Sequence, residues 1–373
     1  METVVTTVRA AVLGMIGSDV EVRTYDPPSA REGAVVVDVL HAGICGTDIH
    51  LQDGRLSVPL PVILGHEAVG FVRELGAGVD VDATGAPLSE GDLVVWASSI
   101  PCGHCYYCVA LTEYSLCEHR RIYGINQSAH VWPQLSGGWA ERIYLQPGTA
   151  IFRVPETVSG LDVIALGCAG PTIVHGLLGK AEPRTGESVV VQGAGPVGMA
   201  AAMYARLAGA GIVVLVGGPS SRIKVAEQLG VCDVAVDLDE YRTPDARLQA
   251  VLDAVPGRRG ADLVVEATGH PSAVAEGIDM ARRGGRYLVV GQYTDHGTTP
   301  INPHIVTRKQ LEVHGSWAFS AEHYARYIAT LPQLTERFDV ARLVTEYPLG
   351  QVNQALADMR AGVSIKSVLS PAL

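Results

Sequence analysis

A chain of 373 residues is too long for one ordinary hydrophobic core, so length alone argues for two domains. Hydrophobic residues make up 47% of it and charged residues 18%, which excludes a disordered chain. The formal net charge of −11 excludes the basic footprint of a nucleic-acid binder, and the opening Met1-Glu2-Thr3-Val4 has no basic region leading into an apolar one, so no signal peptide is expected.

The N-terminal part carries short β-rich runs at 34–40, 70–74, 93–96 and 141–145, separated by Gly, Pro and Asp. This spacing predicts an antiparallel, partly barrel-like domain, with the polar insert 80–90 as a surface loop. From Glu187 the rhythm changes. Strands predicted at 188–192, 212–216, 262–266 and 286–290 alternate with helices at 196–207, 222–229 and 272–282. That alternation indicates an α/β domain with a parallel doubly wound sheet. The stretch between 229 and 262 is less regular, and helices near 321–331 and 352–360 close the chain. The most apolar long segment, 199–218, contains Arg206 and four glycines and reads as a helix followed by a strand, not a membrane span.

Six of the seven cysteines fall into two patterns. Cys102, Cys105, Cys108 and Cys117 form a compact run, and four thiolates close the coordination sphere of Zn²⁺ and so build structure. Cys45 and Cys168 are far apart, each in a glycine-rich context. A dispersed set of cysteine and histidine leaves one zinc position open for water or substrate. Clustered thiols of this kind read as metal ligands in a reducing compartment, and a cytoplasmic location with no membrane partner is expected.

Gly193-Ala194-Gly195-Pro196-Val197-Gly198 follows a predicted strand and opens a predicted helix. The glycines allow a tight turn, close approach to a pyrophosphate and close helix–strand packing, and the helix N-terminus attracts phosphate. Pro196 suits the first helical turn, where its missing N–H costs nothing. At the end of the next strand, where an acidic residue accepts from the ribose 2′-OH, stands Gly217, followed by Gly218-Pro219-Ser220-Ser221-Arg222. Loss of the carboxylate permits a 2′-phosphate, and Ser221 with Arg222 offers it partners, so NAD and NADP both remain open.

Two further motifs complete the pattern: Gly43-Ile44-Cys45-Gly46-Thr47-Asp48-Ile49-His50, and Gly65-His66-Glu67-Ala68-Val69-Gly70 running on to Gly76 and Val79. With the cysteine lobe and the dinucleotide fingerprint after them, the whole chain resembles the zinc-dependent medium-chain alcohol dehydrogenases. Gly137-Gly138-Trp139-Ala140-Glu141, Val265-Glu266-Ala267-Thr268-Gly269 and the closing Ile365-Lys366 extend the likeness. One departure is the spacing from Cys108 to Cys117, which is one residue longer than usual.

The resemblance implies a GroES-like β-rich catalytic domain over 1–169 and 315–373, carrying a structural zinc lobe at about 98–120. A Rossmann NAD(P)-binding domain would cover 170–314, with the active site in the cleft between the domains. Cys45, His66 and Cys168 are implied as catalytic zinc ligands, Glu67 as a carboxylate beside the metal, and Asp48 as the partner of the non-ligating nitrogen of His66. The lesser alternative for Cys168 is a small buried thiol at a domain junction. Thr47 and His50 are implied as a relay that carries the substrate proton to solvent. Thr268 joins the cofactor contacts. The implied chemistry is hydride transfer between an alcohol and NAD(P), with two zinc ions per chain, a small-molecule alcohol or carbonyl substrate and a homodimer or homotetramer. Ser98 stands where relatives carry a bulky aromatic, and Trp132, Trp139, Trp317 and Phe319 are candidates either for an apolar wall or for core. A secondary alcohol with a cyclic or branched frame suits that set. A carbonyl reductase working in the opposite direction, and a non-catalytic nucleotide-binding protein, are the alternative readings.

Overall fold

The computed structural model describes residues 7–373, so the reading of Met1 to Val4 lies outside the described residues. The chain divides into two compact units. One comprises Met1–Cys168, Ser320–Pro332 and Ala341–Leu373, and the other Ala169–Phe319 and Gln333–Val340.

The first unit is built on a seven-stranded sheet. Its path runs Ile151–Arg153, Leu93–Trp96, Ala68–Leu75, Val35–Gly43, Lys366–Leu369, Val344–Tyr347, with Arg142–Leu145 also paired to Val35–Gly43. Pairing is antiparallel except between the last two strands of the path. Val35-Val36-Val37 are β-branched residues buried on both faces of this sheet, as a strand covered on two sides requires. A three-stranded sheet of Glu21–Tyr25, Val8–Leu13 and Val62–Ile63 packs into the same core. One consequence matters for the site. The C-terminal strand docks beside Val35–Gly43, with Val368 opposite Gly43, so the last residues of the chain reach the segment that carries Cys45.

The second unit holds six parallel strands in the order Val234–Asp237, Ile212–Gly217, Ser188–Gln192, Ala261–Glu266, Ala281–Val289, Glu312–Gly315. The strand order reverses at Ser188–Gln192, and in such sheets ligands bind at the carboxyl ends of the strands beside that point. The irregular stretch after 229 proves to hold the strand Val234–Asp237 and the helix Pro244–Ala254, which Thr243 caps by accepting from the Ala246 N–H at 3.2 Å. The helix expected to reach 282 stops at Met280, because Ala281 already pairs with Ala261 in the sheet.

Residues 169, 315–319 and 333–340, read from the sequence as part of the first domain, pack with the second unit. Ser316 N–H donates to Val289 O at 3.1 Å, His175 Nδ1 lies 2.8 Å from Ala318 O, and Arg337 Nη1 donates to Arg206 O at 3.2 Å. Among the described residues, no helix is long and apolar enough to cross a membrane.

Candidate metal centres and dinucleotide site

The ligand atoms of Cys45, His66 and Cys168 all lie within 4.8 Å of one another. The local fold explains why. Cys45 is the N-cap of the short helix Gly46–Gln52, and the Asp48 carboxylate returns to accept its backbone N–H at 2.8 Å. The other Asp48 oxygen faces His66 Nδ1 at 3.5 Å and accepts the Gly65 N–H at 3.4 Å. One wholly buried carboxylate thus fixes both ligand-bearing segments and leaves His66 Nε2 as the nitrogen for a metal. Gly65 sits at φ +89°, and a Cβ there would meet Trp139 at 2.4 Å. Trp139 is fully buried and donates its indole N–H to Gly43 O at 3.1 Å, so it is core behind the site and not a substrate wall.

The electrostatics suit a cation. A hydrogen bond from Cys168 holds the Cys45 thiol well below its ordinary range, against burial, with His66 and Lys366 adding to the effect. The same shared proton, together with burial, pushes Cys168 well above it. Burial pulls His66 down, but the Asp48 carboxylate and Cys45 outweigh it and raise it well above the usual value. Two sulfurs and an imidazole in this space fit Zn²⁺ with a fourth position open.

Beside this set lies Glu67, whose carboxylate accepts from the buried Lys366 ammonium. A Cβ at Gly43 would meet Glu67 at 2.6 Å and Lys366 Nζ at 2.7 Å, so a side chain there would push the ion pair aside. Burial raises the Glu67 pKa despite Lys366. Thr47 Oγ1 lies 3.8 Å from Cys45 Sγ, and His50 follows three residues later in the last turn of the same helix, on the same side.

Cys102, Cys105, Cys108 and Cys117 form the second set, again with their sulfurs within 4.8 Å. Cys102 N–H points at Cys117 Sγ and Cys105 N–H at Cys102 Sγ, each at 3.3 Å, which is the way backbone stabilises metal thiolates. The longer Cys108–Cys117 spacing, which includes the turn Tyr114–Leu116, still brings the Cys117 sulfur to the other three. His104 and His119 stack on each other outside the set, with centroids 6.4 Å apart.

In the second unit Gly195 is the N-cap and Pro196 the first residue of the helix Pro196–Leu207. A Cβ at Gly198 would meet Gly193 O at 1.8 Å, and nothing lies within 4 Å of one at Gly195, so the turn is packed behind and open in front. That is the cradle a dinucleotide pyrophosphate needs, and Val197 lies in its first helical turn. Thr268 donates its hydroxyl and N–H to the fully buried Glu266, both at 2.7 Å, and Gly269 N–H joins them at 2.9 Å. Glu266 therefore shapes the loop that carries Thr268, a role that the motif Val265 to Gly269 does not announce in sequence. At Gly217 a Cβ would meet Ala194 N at 2.8 Å, so the missing acid is a packing requirement. Ser221 is exposed and Arg222 half-buried, with burial lowering the Arg222 pKa. Trp317 stacks on Tyr293 at 4.5 Å and stays partly exposed, whereas Phe319 is buried. Trp132 lies under the Arg31 guanidinium and against Tyr144, away from the three-ligand set in its contacts.

Comparison with known proteins agrees with this geometry. Residues 31–156 match the alcohol dehydrogenase GroES-like domain, and residues 196–334 match the zinc-binding dehydrogenase domain. The chain is 34% identical to the 5-exo-hydroxycamphor dehydrogenase of Pseudomonas putida over 95% of each chain. An alcohol dehydrogenase structure from Thermotoga maritima is similar with a TM-score of 0.90 and 33% identity, over 98% of this chain and 99% of that one. A putative zinc-binding dehydrogenase from Sinorhizobium meliloti, bound to NADP, is similar with a TM-score of 0.82 and 25% identity, over 98% and 99%.

Proposed function

The chain belongs to the zinc-containing medium-chain alcohol dehydrogenase family, a zinc- and NAD(P)-dependent oxidoreductase acting on alcohols, and from that premise we propose that its substrate is a secondary alcohol with a cyclic or branched carbon frame. The observation that carries the chemistry is the three-donor set of Cys45, His66 and Cys168, with the Thr47 hydroxyl 3.8 Å from the Cys45 sulfur. Bound there, a zinc ion would supply Lewis acidity at the alcohol oxygen, and a dinucleotide held at the Gly193–Gly198 turn would supply the hydride acceptor.

The protein's own groups do the rest. Cys45, His66 and Cys168 hold the metal, and Asp48 fixes the His66 ring and its tautomer. Thr47 takes the hydroxyl proton of the substrate, and His50 delivers it to solvent, a step imidazole can perform as both proton acceptor and donor. Glu67 stands beside the metal and is restrained by Lys366. The turn Gly193 to Gly198 binds the pyrophosphate, and Cys102, Cys105, Cys108 and Cys117 hold a second, structural zinc.

The substrate class rests on three supports. Ser98 is a small buried side chain four residues before Cys102, Tyr293 and Trp317 form a partly exposed aromatic stack, and the Pseudomonas putida relative is named for 5-exo-hydroxycamphor. A panel of primary, secondary, cyclic and polyol alcohols with both dinucleotides tests it. The expected result is highest kcat/KM for cyclic secondary alcohols, and a preference for linear polyols or primary alcohols would reject the assignment.

The protein is further proposed to act as a homodimer or homotetramer in the cytoplasm. The strand Glu312–Gly315 leaves an open sheet edge with Val313 half-exposed, which favours pairing with another copy. Six ligand cysteines need a reducing compartment. Light scattering of the purified protein reads the assembly directly, and a monomer at working concentration would overturn it.

A further inference from the structure

The acid that a dinucleotide fold places at the end of its second strand is missing at Gly217, and the backbone leaves no room for one. A Cβ there would meet Ala194 N at 2.8 Å and Ala194 Cβ at 2.9 Å. The neighbouring strand brings carboxylates to the same level. Val234–Asp237 runs parallel to Ile212–Gly217 with Asp237 in register beside Gly217, and Leu238 N–H donates to Gly217 O at 2.9 Å. The chain then turns. Asp237 Oδ1 accepts the Asp239 N–H at 2.9 Å, and Arg242 Nε donates to Asp239 O at 3.0 Å, so both sides of the turn are pinned.

This turn carries the Asp239 side chain to the first residue of the helix Ser220–Gln228. Asp239 Oδ2 accepts the Ser220 hydroxyl at 2.8 Å and its N–H at 3.4 Å. The helix has no side-chain cap of its own, since Pro219 is its N-cap. A carboxylate from the third strand thus stands where the second strand ends and the next helix begins. In a doubly wound dinucleotide domain that is where the adenosine ribose lies.

We propose that Asp239, held by Ser220, is the specificity-determining carboxylate for the dinucleotide, accepting from the ribose 2′-OH and repelling a 2′-phosphate. The enzyme therefore prefers NAD to NADP although its second strand ends in glycine. The geometry also explains why the serine and arginine of the segment do not tip the choice. Ser220 is engaged with Asp239, which puts a negative charge on the residue next to Ser221 and Arg222. This inference rests on the NAD(P)-dependent reading of the chain.

The test is direct binding of NAD⁺ and NADP⁺ to the zinc-loaded full chain, by titration calorimetry in the absence of alcohol. The wild-type protein is expected to bind NAD⁺ more tightly. Asp239→Asn is expected to narrow the ratio of the two dissociation constants about tenfold, mainly by tightening NADP⁺. Asp239→Ser keeps an oxygen to cap the helix without the charge, so it separates recognition from capping. It is expected to narrow the ratio equally at an unchanged Tm, and it carries the measurement if the asparagine variant does not fold. Wild-type protein that binds NADP⁺ as tightly as NAD⁺ overturns the role of Asp239. So do variants that bind NAD⁺ with the wild-type ratio. Wild-type protein that binds neither dinucleotide overturns the NAD(P)-dependent reading as well, and so distinguishes the two failures.

Discussion

The ammonium of Lys366 donates to the carboxylate of Glu67 with both side chains almost fully sealed from solvent. The pair joins the last strand of the chain to the residue that follows the ligand His66. Glu67 and Cys45 raise the Lys366 pKa against the lowering effect of burial, which favours the charged ammonium, while burial raises the Glu67 pKa against the lowering effect of Lys366. Removing one partner leaves the other charge buried without compensation. Lys366→Met is therefore expected to cost about 3–5 kcal/mol of stability. The double variant with Glu67→Gln is expected to recover part of that loss, because it removes the stranded charge. Chemical denaturation of the single and double variants measures the coupling, and strictly additive losses would mean that the two groups do not act as a pair.

The two proposed metal sites are expected to respond differently to loss of a donor. Metal analysis is expected to find two zinc ions per chain, and one ion would mean that one of the two cysteine sets is empty. Cys45→Ser removes a ligand from a set whose neighbours are held by Asp48, Trp139 and the sheet, so the fold is expected to survive while turnover is lost. Cys105→Ser acts on a lobe whose small cluster consists of the four cysteines with Tyr107 and Tyr114, and its cost is expected in stability. Asp48→Asn tests the support of the open site, with zinc affinity expected to fall about 10- to 100-fold. Unchanged affinity would remove Asp48 from that role.

Much of this was legible in the sequence because each motif is local. Cys45 and Asp48 lie three residues apart and so share one turn, and the fingerprint Gly193 to Gly198 specifies strand, turn and helix within itself. The alternation of buried valines with helices likewise marks four of the six parallel strands. What escaped is non-local. Asp239 reaches Ser220 only because its strand pairs with Ile212–Gly217, and the stretch around it has no strong period. The ion pair Lys366–Glu67 spans 299 residues and depends on strand order. Residues 315–319 stay with the second unit, where Gly315 pairs with Val289 and Ser316 N–H donates to Val289 O, contacts that no sequence signal announces. Trp139 shows the same limit, since only burial separates a core indole from a pocket wall.

Thr47 and His50 predict a pH signature. Thr47 lies against the Cys45 sulfur and His50 follows on the same side of the helix. If His50 ends the proton path, His50→Gln is expected to lower the rate of alcohol oxidation most at low pH, where solvent is a poor proton acceptor, and least in alkali. Dinucleotide affinity is expected to stay nearly unchanged, which separates this role from cofactor binding. A variant whose rate follows the wild-type pH profile removes His50 from the mechanism.

Acid stability offers a last check, at the base of the parallel sheet. Asp262 accepts the Ser188 hydroxyl at 2.6 Å and its N–H at 2.7 Å, and takes Arg282 Nε at 2.6 Å on its other oxygen. Burial alone would raise its pKa, but the Ser188 bonds and Arg282 outweigh it and hold the carboxyl below its usual value. A folded pKa below the unfolded one, about 3.9, means that the stabilisation is fully present above that pH and fades as pH falls through the folded value. Asp262→Asn is therefore expected to cost about 1–2 kcal/mol at pH 7, the worth of a charge-assisted bond in a partly exposed site. The difference from wild type is expected to shrink steadily below about pH 4, since the wild-type carboxyl is then protonated as well. Denaturant unfolding of both proteins across that range reads the gap directly. A gap that keeps its neutral-pH size in acid would show that shape, and not charge, makes Asp262 the strap between the strands Ser188–Gln192 and Ala261–Glu266.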